Sequence, residues 1–194
     1  IYVLEPEVFD YMPKEGEFGF GRQLFPLLVE QGKKVLGVEI EAYWSDVGTI
    51  EQYWHSNFDV LKGRMKTELT GYKKVVYGFF SVYLAPSAVV APGVEIMGNV
   101  ILGKDSLLED GVVLKGNVVV GPGCVVGAGA QLEDVILWPG MKVAAGAKLR
   151  KCIVSSAGCT EVAVHEDPKE RSRFLTGAKN MPLAQTQALL GTCV

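Results

Sequence analysis

The sequence predicts two parts, an α/β segment followed by an all-β solenoid of stacked coils. Two observations carry this: aliphatic residues return every six positions from Leu84 to about Val154, and the pattern changes abruptly near residue 83. Leu84, Val90, Ile96, Leu102, Leu108, Leu114, Val120, Val126 and Leu132 keep one register, which resumes after a one-residue deletion at Leu137, Val143 and Leu149. A period of six fits no face of a 3.6-residue helix. A plain alternating strand leaves no place for Pro92-Gly93, Pro122-Gly123 or Pro139-Gly140 between its apolar residues. Repeats of this kind build solenoids, in which each coil buries its apolar corners only against the next.

Ile96, Leu114, Leu132 and Leu149 lie 18, 18 and 17 residues apart and are followed by similar tails, so three hexads make one coil and about four coils are legible. The anchors point inward at the corners. Four positions after an anchor, a small or β-branched residue (Ala88, Val94, Ser106, Val112, Cys124, Ala130, Ala147) fills the next inward site. Gly103, Gly121 and Gly127 follow their anchors at bends with no room for a side chain. The 17-residue spacing marks one coil whose corner differs from its neighbours. On these residues the sequence resembles the hexapeptide-repeat family, which implies a left-handed parallel β-helix of triangular section.

Composition sets the bounds. The 194 residues are 48% apolar with a formal net charge of -3, an ordinary balance that offers no basic field for nucleic acid. Every apolar run is interrupted by Lys, Glu, Asp or Gly before it reaches membrane-spanning length, and no charged-then-apolar leader is present, so a cytoplasmic protein is the expectation. Cys124, Cys152, Cys159 and Cys193 lack metal-ligand spacing and read as buried small hydrophobes rather than a disulfide or zinc set. Ile1-Tyr2-Val3-Leu4 has the composition of a strand but no methionine, cap or polar lead before it, and it suggests the end portion of a longer protein.

Along the chain, residues 1 to 4 read as a buried strand, and Glu5 to Phe9 as a turn into a short helical piece with proline early. Pro13 to Gly21 is a loop. Arg22 to Gln31 is helical, with a start close to Leu24 because of Pro26, and with Gly32 as the stop beside Lys33-Lys34. Val35 to Tyr43 alternates as a strand pair. Thr49 followed by Gln52 forms a capping box, and Ile50, Tyr53, Trp54, Phe58 and Leu61 share one face of the helix that starts there. That stripe requires a sheet, for which the upstream strands are the available partners. Residues 63–83 form a linker (Gly63 to Thr70) and lead-in strands (Tyr72 to Leu84) between a first domain at 1–62 and the solenoid at 84–160. Residues 161–194 are a partly helical tail, with short helices at Asp167 to Thr176 and Met181 to Leu190.

The run Ile1-Tyr2-Val3-Leu4-Glu5-Pro6, then Leu24-Phe25-Pro26-Leu27-Leu28, then Tyr43-Trp44-Ser45-Asp46-Val47-Gly48-Thr49, resembles the last third of the catalytic domain of sugar-1-phosphate nucleotidyltransferases, whose mark here is Trp-x-Asp-x-Gly-Thr. Several members carry a following left-handed β-helix, so the two resemblances support each other. Mannose-1-phosphate guanylyltransferases and glucose-1-phosphate adenylyltransferases are among them, and overall likeness favours the first. The resemblance implies attack of a sugar 1-phosphate oxygen on the α-phosphorus of a nucleoside triphosphate, with magnesium neutralising phosphate charge.

By the same resemblance, Asp46 matches a metal-binding aspartate. A turn residue ahead of a helix is its other reading. Gly48 permits close approach to the helix start and is a candidate for substrate binding; Arg22 is a candidate phosphate contact or an ordinary exposed arginine. Tyr2 and Glu5 are weaker candidates beside the sugar pocket. The family's glycine-rich triphosphate loop and its Glu-Lys-Pro segment are not in these residues, so the chain is expected to be inactive as it stands. Two other readings remain open: a hexapeptide-repeat acyltransferase, disfavoured because neither His55 nor His165 lies within the repeats, and a non-catalytic oligomerisation or regulatory module. A homo-oligomer is expected, without nucleic-acid or membrane partners.

Overall fold

Three sets of inward-facing side chains organise residues 80–161. The computed structural model describes residues 1–77 and 79–163; both expected tail helices, His165 and Cys193 lie outside them. The hexad anchors from Ile96 to Val143 are buried, and Leu102, Leu108, Leu114, Val120 and Val126 are fully so. Val94, Ser106, Val112, Cys124 and Ala130 form the second set as expected, and the third, a single row of Val82, Val100, Val118, Val135 and Cys152, runs through the shared tails.

The coils are made of long and short strands. The long strands β4 (Glu95–Leu102), β6 (Val113–Val120), β8 (Gln131–Leu137) and β10 (Lys148–Ser155) pair in parallel, each one coil above the last. Four two-residue strands, β3 (Val89–Val90), β5 (Leu107–Leu108), β7 (Val125–Val126) and β9 (Lys142–Val143), form a second parallel sheet. The long sheet begins with β1 (Lys73–Tyr77) antiparallel to β2 (Phe80–Leu84) and ends with β11 (Gly158–Glu161) antiparallel to β10. A hairpin therefore closes each end of the parallel stack, occupying backbone groups that would otherwise form open edges. The β11 strand has no hexad signature and was not legible in the sequence. The bend glycines have the expected cause: a β-carbon on Gly127 would lie 2.6 Å from the backbone nitrogen of Ala145.

Within each long strand the inside-outside alternation breaks at a corner, where a polar ladder replaces aliphatic packing. Asn99 Nδ2 donates to Asn117 Oδ1 at 3.1 Å, and Asn117 Nδ2 and backbone N–H donate to Asp134 Oδ1 at 3.3 and 2.9 Å. Asn99 Oδ1 in turn accepts from the Ser81 N–H. The one-residue deletion falls here: the pairing of β6 with β8 slips between Lys115 and Val118, so that Asp134 stands where the coil below has Gly116-Asn117. Asp134 and then Lys151 adopt left-handed backbone (φ 54° and 46°) to turn the corner.

Helix α2 (Ile50–Leu61) lies against the outside of the same stack. The outward residues Tyr83, Ile101, Val119, Ile136 and Ile153 occupy one rung each of a vertical ladder. Trp54, Phe58 and Leu61, spaced i, i+4, i+7, pack on it together with Val162. Trp54 Nε1 also donates to the Asp134 carbonyl oxygen at 3.2 Å. The helix stripe is thus covered by the β-helix and not by the upstream strands expected from sequence. The reason is that a parallel β-helix presents flat aliphatic ladders on its outer face, and hexad periodicity reports only its inner one.

Residues 1–42 form a separate compact unit. Pro6–Tyr11 is a 3-10 turn, Phe20–Leu24 a π-turn, and α1 (Phe25–Glu30) a short α-helix with Pro26 in its first turn. Gly32 (φ 67°) ends α1 in a Schellman motif, with Lys33 N–H donating to Leu28 O and Gly32 N–H to Val29 O. Val8, Leu24 and Leu28 make its small core, flanked by Tyr11, Met12, Phe18, Phe20 and Phe25. The upstream strands are corrected: residues 1–4, expected as one strand, and 35–43, expected as a strand pair, contain no strand, and Val3 is 96% and Val38 81% exposed. Strand composition becomes strand structure only across a hydrogen-bonded ladder, and no described residue pairs with either stretch.

Burial raises the Asp134 carboxyl above the ordinary carboxylate range, outweighing the Asn117 hydrogen bonds that favour its ionised form. A raised folded-state value means stability is fully present below the unfolded value and declines as pH rises through the folded one. Asp134→Asn, which keeps the acceptor and tolerates positive φ, is expected to match or exceed the parent at pH 7 and to flatten this part of the pH dependence. Asp134→Ala is expected to cost about 1–3 kcal/mol by leaving Asn117 donors unpaired. Urea unfolding of all three proteins from pH 4 to 8 checks both.

Candidate functional site

The sequence-specific chemistry gathers on the loop of residues 43–49, which leads into α2. Thr49 is the N-cap: its backbone is extended and its Oγ1 accepts from Gln52 N–H at 3.1 Å. The expected capping box is only half made, because Gln52 Nε2 donates to Ser45 Oγ at 2.6 Å and does not reach back to Thr49. Ser45 Oγ lies 2.7 Å from Ser56 Oγ, and the Ser56 hydroxyl also donates to the Gln52 carbonyl at 2.8 Å. Tyr43 Oη donates to Asp59 Oδ2 at 3.0 Å, while Asp59 Oδ1 pairs with Arg64 at 3.0 Å. The loop is therefore folded back along the first three turns of the helix.

This fold-back displays the motif residues. Asp46 and Gly48 are exposed on the loop, joined by a bond from Gly48 N–H to the Asp46 carbonyl at 2.9 Å. No hydrogen bond engages the Asp46 carboxylate among the described residues, and Thr49 supplies the side-chain cap at the helix start. Trp44 is 79% exposed and Val47 52%, both beside Asp46. Arg22 sits in the π-turn of the 1–42 unit, exposed. Tyr2 stacks with Phe20 and meets Phe25 edge-on, and Glu5 is exposed at the start of the 3-10 turn. His55 lies on α2, 3.9 Å from Glu51 and edge-on to the Trp54 ring.

Sequence reasoning singled out Asp46 and Gly48 through the motif and Thr49 through the cap. It missed Ser45, Ser56 and Asp59. Their pairing crosses a loop and a helix, and no fixed spacing announces such a contact. Gln52 was legible as a cap partner, but its side chain is taken by Ser45.

Residues 1–63 match the nucleotidyl transferase family, and residues 99–134 match the bacterial transferase hexapeptide (six repeats) family. A UTP--glucose-1-phosphate uridylyltransferase of Synechocystis sp. is 30% identical over 139 residues, covering 71% of this chain and 35% of that protein. The chain belongs to the sugar-1-phosphate nucleotidyltransferase family. A glucose-1-phosphate adenylyltransferase of Desulforamulus reducens is 28% identical over 162 residues, covering 79% of this chain and 37% of its own length. A Bacillus mycoides glucose-1-phosphate adenylyltransferase is 32% identical over 93 residues, covering 46% of this chain and 25% of the relative. This chain spans about a third of the length of the first two relatives.

The Thr49 cap fixes where the helix of this family member begins. Thr49→Ala is expected to cost about 1 kcal/mol and Thr49→Ser close to nothing, read as a shift in the unfolding midpoint.

Proposed function

We propose that this chain is the C-terminal part of an enzyme that condenses a nucleoside triphosphate with a sugar 1-phosphate, releasing pyrophosphate, and that Asp46 is the group by which it touches the chemistry. The supporting observation is the Asp46 carboxylate itself, exposed and without a hydrogen-bond partner among the described residues, on a loop tied to a helix. Such a transfer relies on positioning and on neutralising crowded phosphate charge.

Magnesium takes one or two carboxylates together with phosphate oxygens and waters, and Asp46 fits one such position. Among the described residues there is no group of three or more carboxylates, imidazoles or thiols that could enclose an ion, so these residues supply one ligand and not a cage. Bound there, magnesium would neutralise phosphate oxygens; Asp46 would hold it. Gly48 leaves the approach to the helix start free of a side chain, with no atom within 4 Å of where a β-carbon would sit. Arg22 is proposed as a phosphate contact.

The named relatives carry glucose 1-phosphate in their names, so glucose 1-phosphate with UTP or ATP is the first pairing to test, ahead of mannose 1-phosphate with GTP. A cytoplasmic location, where these nucleotides are available, belongs to the same proposal. The acyltransferase reading finds no support in the coils, whose inward positions are aliphatic, small or amide side chains. Self-association through the second sheet is also proposed: Val89, Leu107 and Val125 form an outward apolar row there, and Val89 is 52% exposed.

In a protein that carries this chain together with a triphosphate-binding region, Asp46→Asn is expected to lower magnesium-dependent turnover by about a hundredfold or more. Turnover equal to the parent removes Asp46 from the chemistry. Light scattering is expected to show a dimer or larger species that Val125→Lys shifts to monomer; a parent that stays monomeric at high concentration refutes the self-association.

A further inference from the structure

We propose that Ser45, Gln52 and Ser56 are positioning residues, a side-chain latch that fixes the Asp46 loop onto α2, and that the β-helix serves as the seat for this latch. The inference rests on the reading of Asp46 as the group that faces the reacting phosphates. It goes beyond that reading by assigning roles to residues outside the motif.

The loop has little reason of its own to hold one shape. Trp44, Asp46, Val47 and Gly48 are exposed, and the backbone bond from Gly48 to Asp46 spans only two residues. The tie nearest to Asp46 is the side chain of Ser45, the residue directly before it. Its Oγ is half-buried and meets two groups at once, Gln52 Nε2 at 2.6 Å and Ser56 Oγ at 2.7 Å. Gln52 and Ser56 are four residues apart and share one face of α2, and Ser56 is itself oriented by its bond to the Gln52 carbonyl. A second tie, Tyr43 Oη to Asp59, lies one turn further along the helix.

The helix is in turn seated on the solenoid. Between Gln52 and Ser56, on the opposite side of the helix, Trp54 is buried on the outer ladder and donates to the Asp134 carbonyl oxygen. Asp134 is the corner residue that ends the Asn99–Asn117 ladder. The path from the motif to the β-helix is thus continuous: the Ser45 hydroxyl, the Gln52 and Ser56 side chains, the α2 backbone, Trp54 and the Asp134 corner. A carboxylate that must meet a phosphate-bound ion needs this, because misplacement by about 1 Å can cost about a hundredfold in rate.

Amide order parameters of the 194-residue chain read the latch directly. The parent is expected to show values near the rigid limit, about 0.85, for Ser45 to Gly48, and Ser56→Ala to bring them below about 0.6. The α2 amides and the melting temperature are expected to stay unchanged, and Ser56→Thr to restore the loop. Ser45→Ala breaks the latch from the loop side and decides the matter if Ser56→Ala perturbs the helix. Asn57→Ala, which removes a bond to the Tyr53 carbonyl outside the latch, is expected to leave the loop rigid. A parent loop already mobile, or loop values unchanged in both latch variants, overturns the proposal. In the active longer protein the latch variants are expected to lower kcat by about a hundredfold with KM for the nucleotide unchanged. Parent-like kcat there, with Asp46→Asn inactive, overturns the latch and leaves the functional reading standing. An active Asp46→Asn removes that reading, and the order parameters still decide whether the latch exists.

Discussion

No single coil of this protein can bury its own apolar residues, and the structure of residues 80–161 follows from that constraint. Leu102, Val120 and Leu137 are adjacent rungs of one row, each closed off from water by the rungs above and below it. The backbone does the same in the other direction, with each strand's hydrogen bonds going to the coils next to it. Burial and hydrogen bonding are thereby satisfied by the same translation along the axis, so the hexad repeat is not optional. Antiparallel hairpins finish the long sheet at both ends because a parallel stack cannot end itself.

The same translation has a second consequence on the outside. Residues that point outward from successive long strands stack into vertical rows, and one row, Tyr83 to Ile153, is apolar along its full length. An apolar row on a soluble surface requires a cover, and α2 supplies Trp54, Phe58 and Leu61 at matching height. The helix that begins directly after the Asp46 motif is therefore a structural part of the β-helix. Residues 43–62, which by motif belong with the nucleotidyltransferase segment, by packing belong with the solenoid.

Among the described residues, buried polar groups are few, and those at the corners are tied to geometry. Asn99, Asn117 and Asp134 take over where the long strands bend, since an amide or carboxylate can satisfy backbone donors at a corner that no longer forms a regular ladder. Burial raises the Asp134 carboxyl from its ordinary value while two Asn117 donors on the carboxylate act against that shift, and Trp54 separately satisfies the backbone carbonyl oxygen. Cys152, one coil above, shows the same effect of burial, its thiol pushed up to about 12. It is a core residue in chemistry as well as position.

The sequence by itself determined the β-helix, its coil length, its inward rows, the bend glycines and the irregular coil at the deletion, because each of these is set by residues a fixed distance apart in the chain. It also determined the Thr49 cap, the Gly32 helix stop and the Asp46 motif, all of which are local. Only the tertiary structure decided what lies across space: that α2 packs on the solenoid, that Gln52 turns to Ser45 in place of completing its capping box, that Ser56 and Asp59 hold the loop, and that β11 closes the stack. It also left the strand-like stretches at 1–4 and 35–43 unpaired. Periodicity records which side of a strand is inward, but an outward residue's partner comes from another element at no fixed separation, and a strand without a ladder partner is only extended chain.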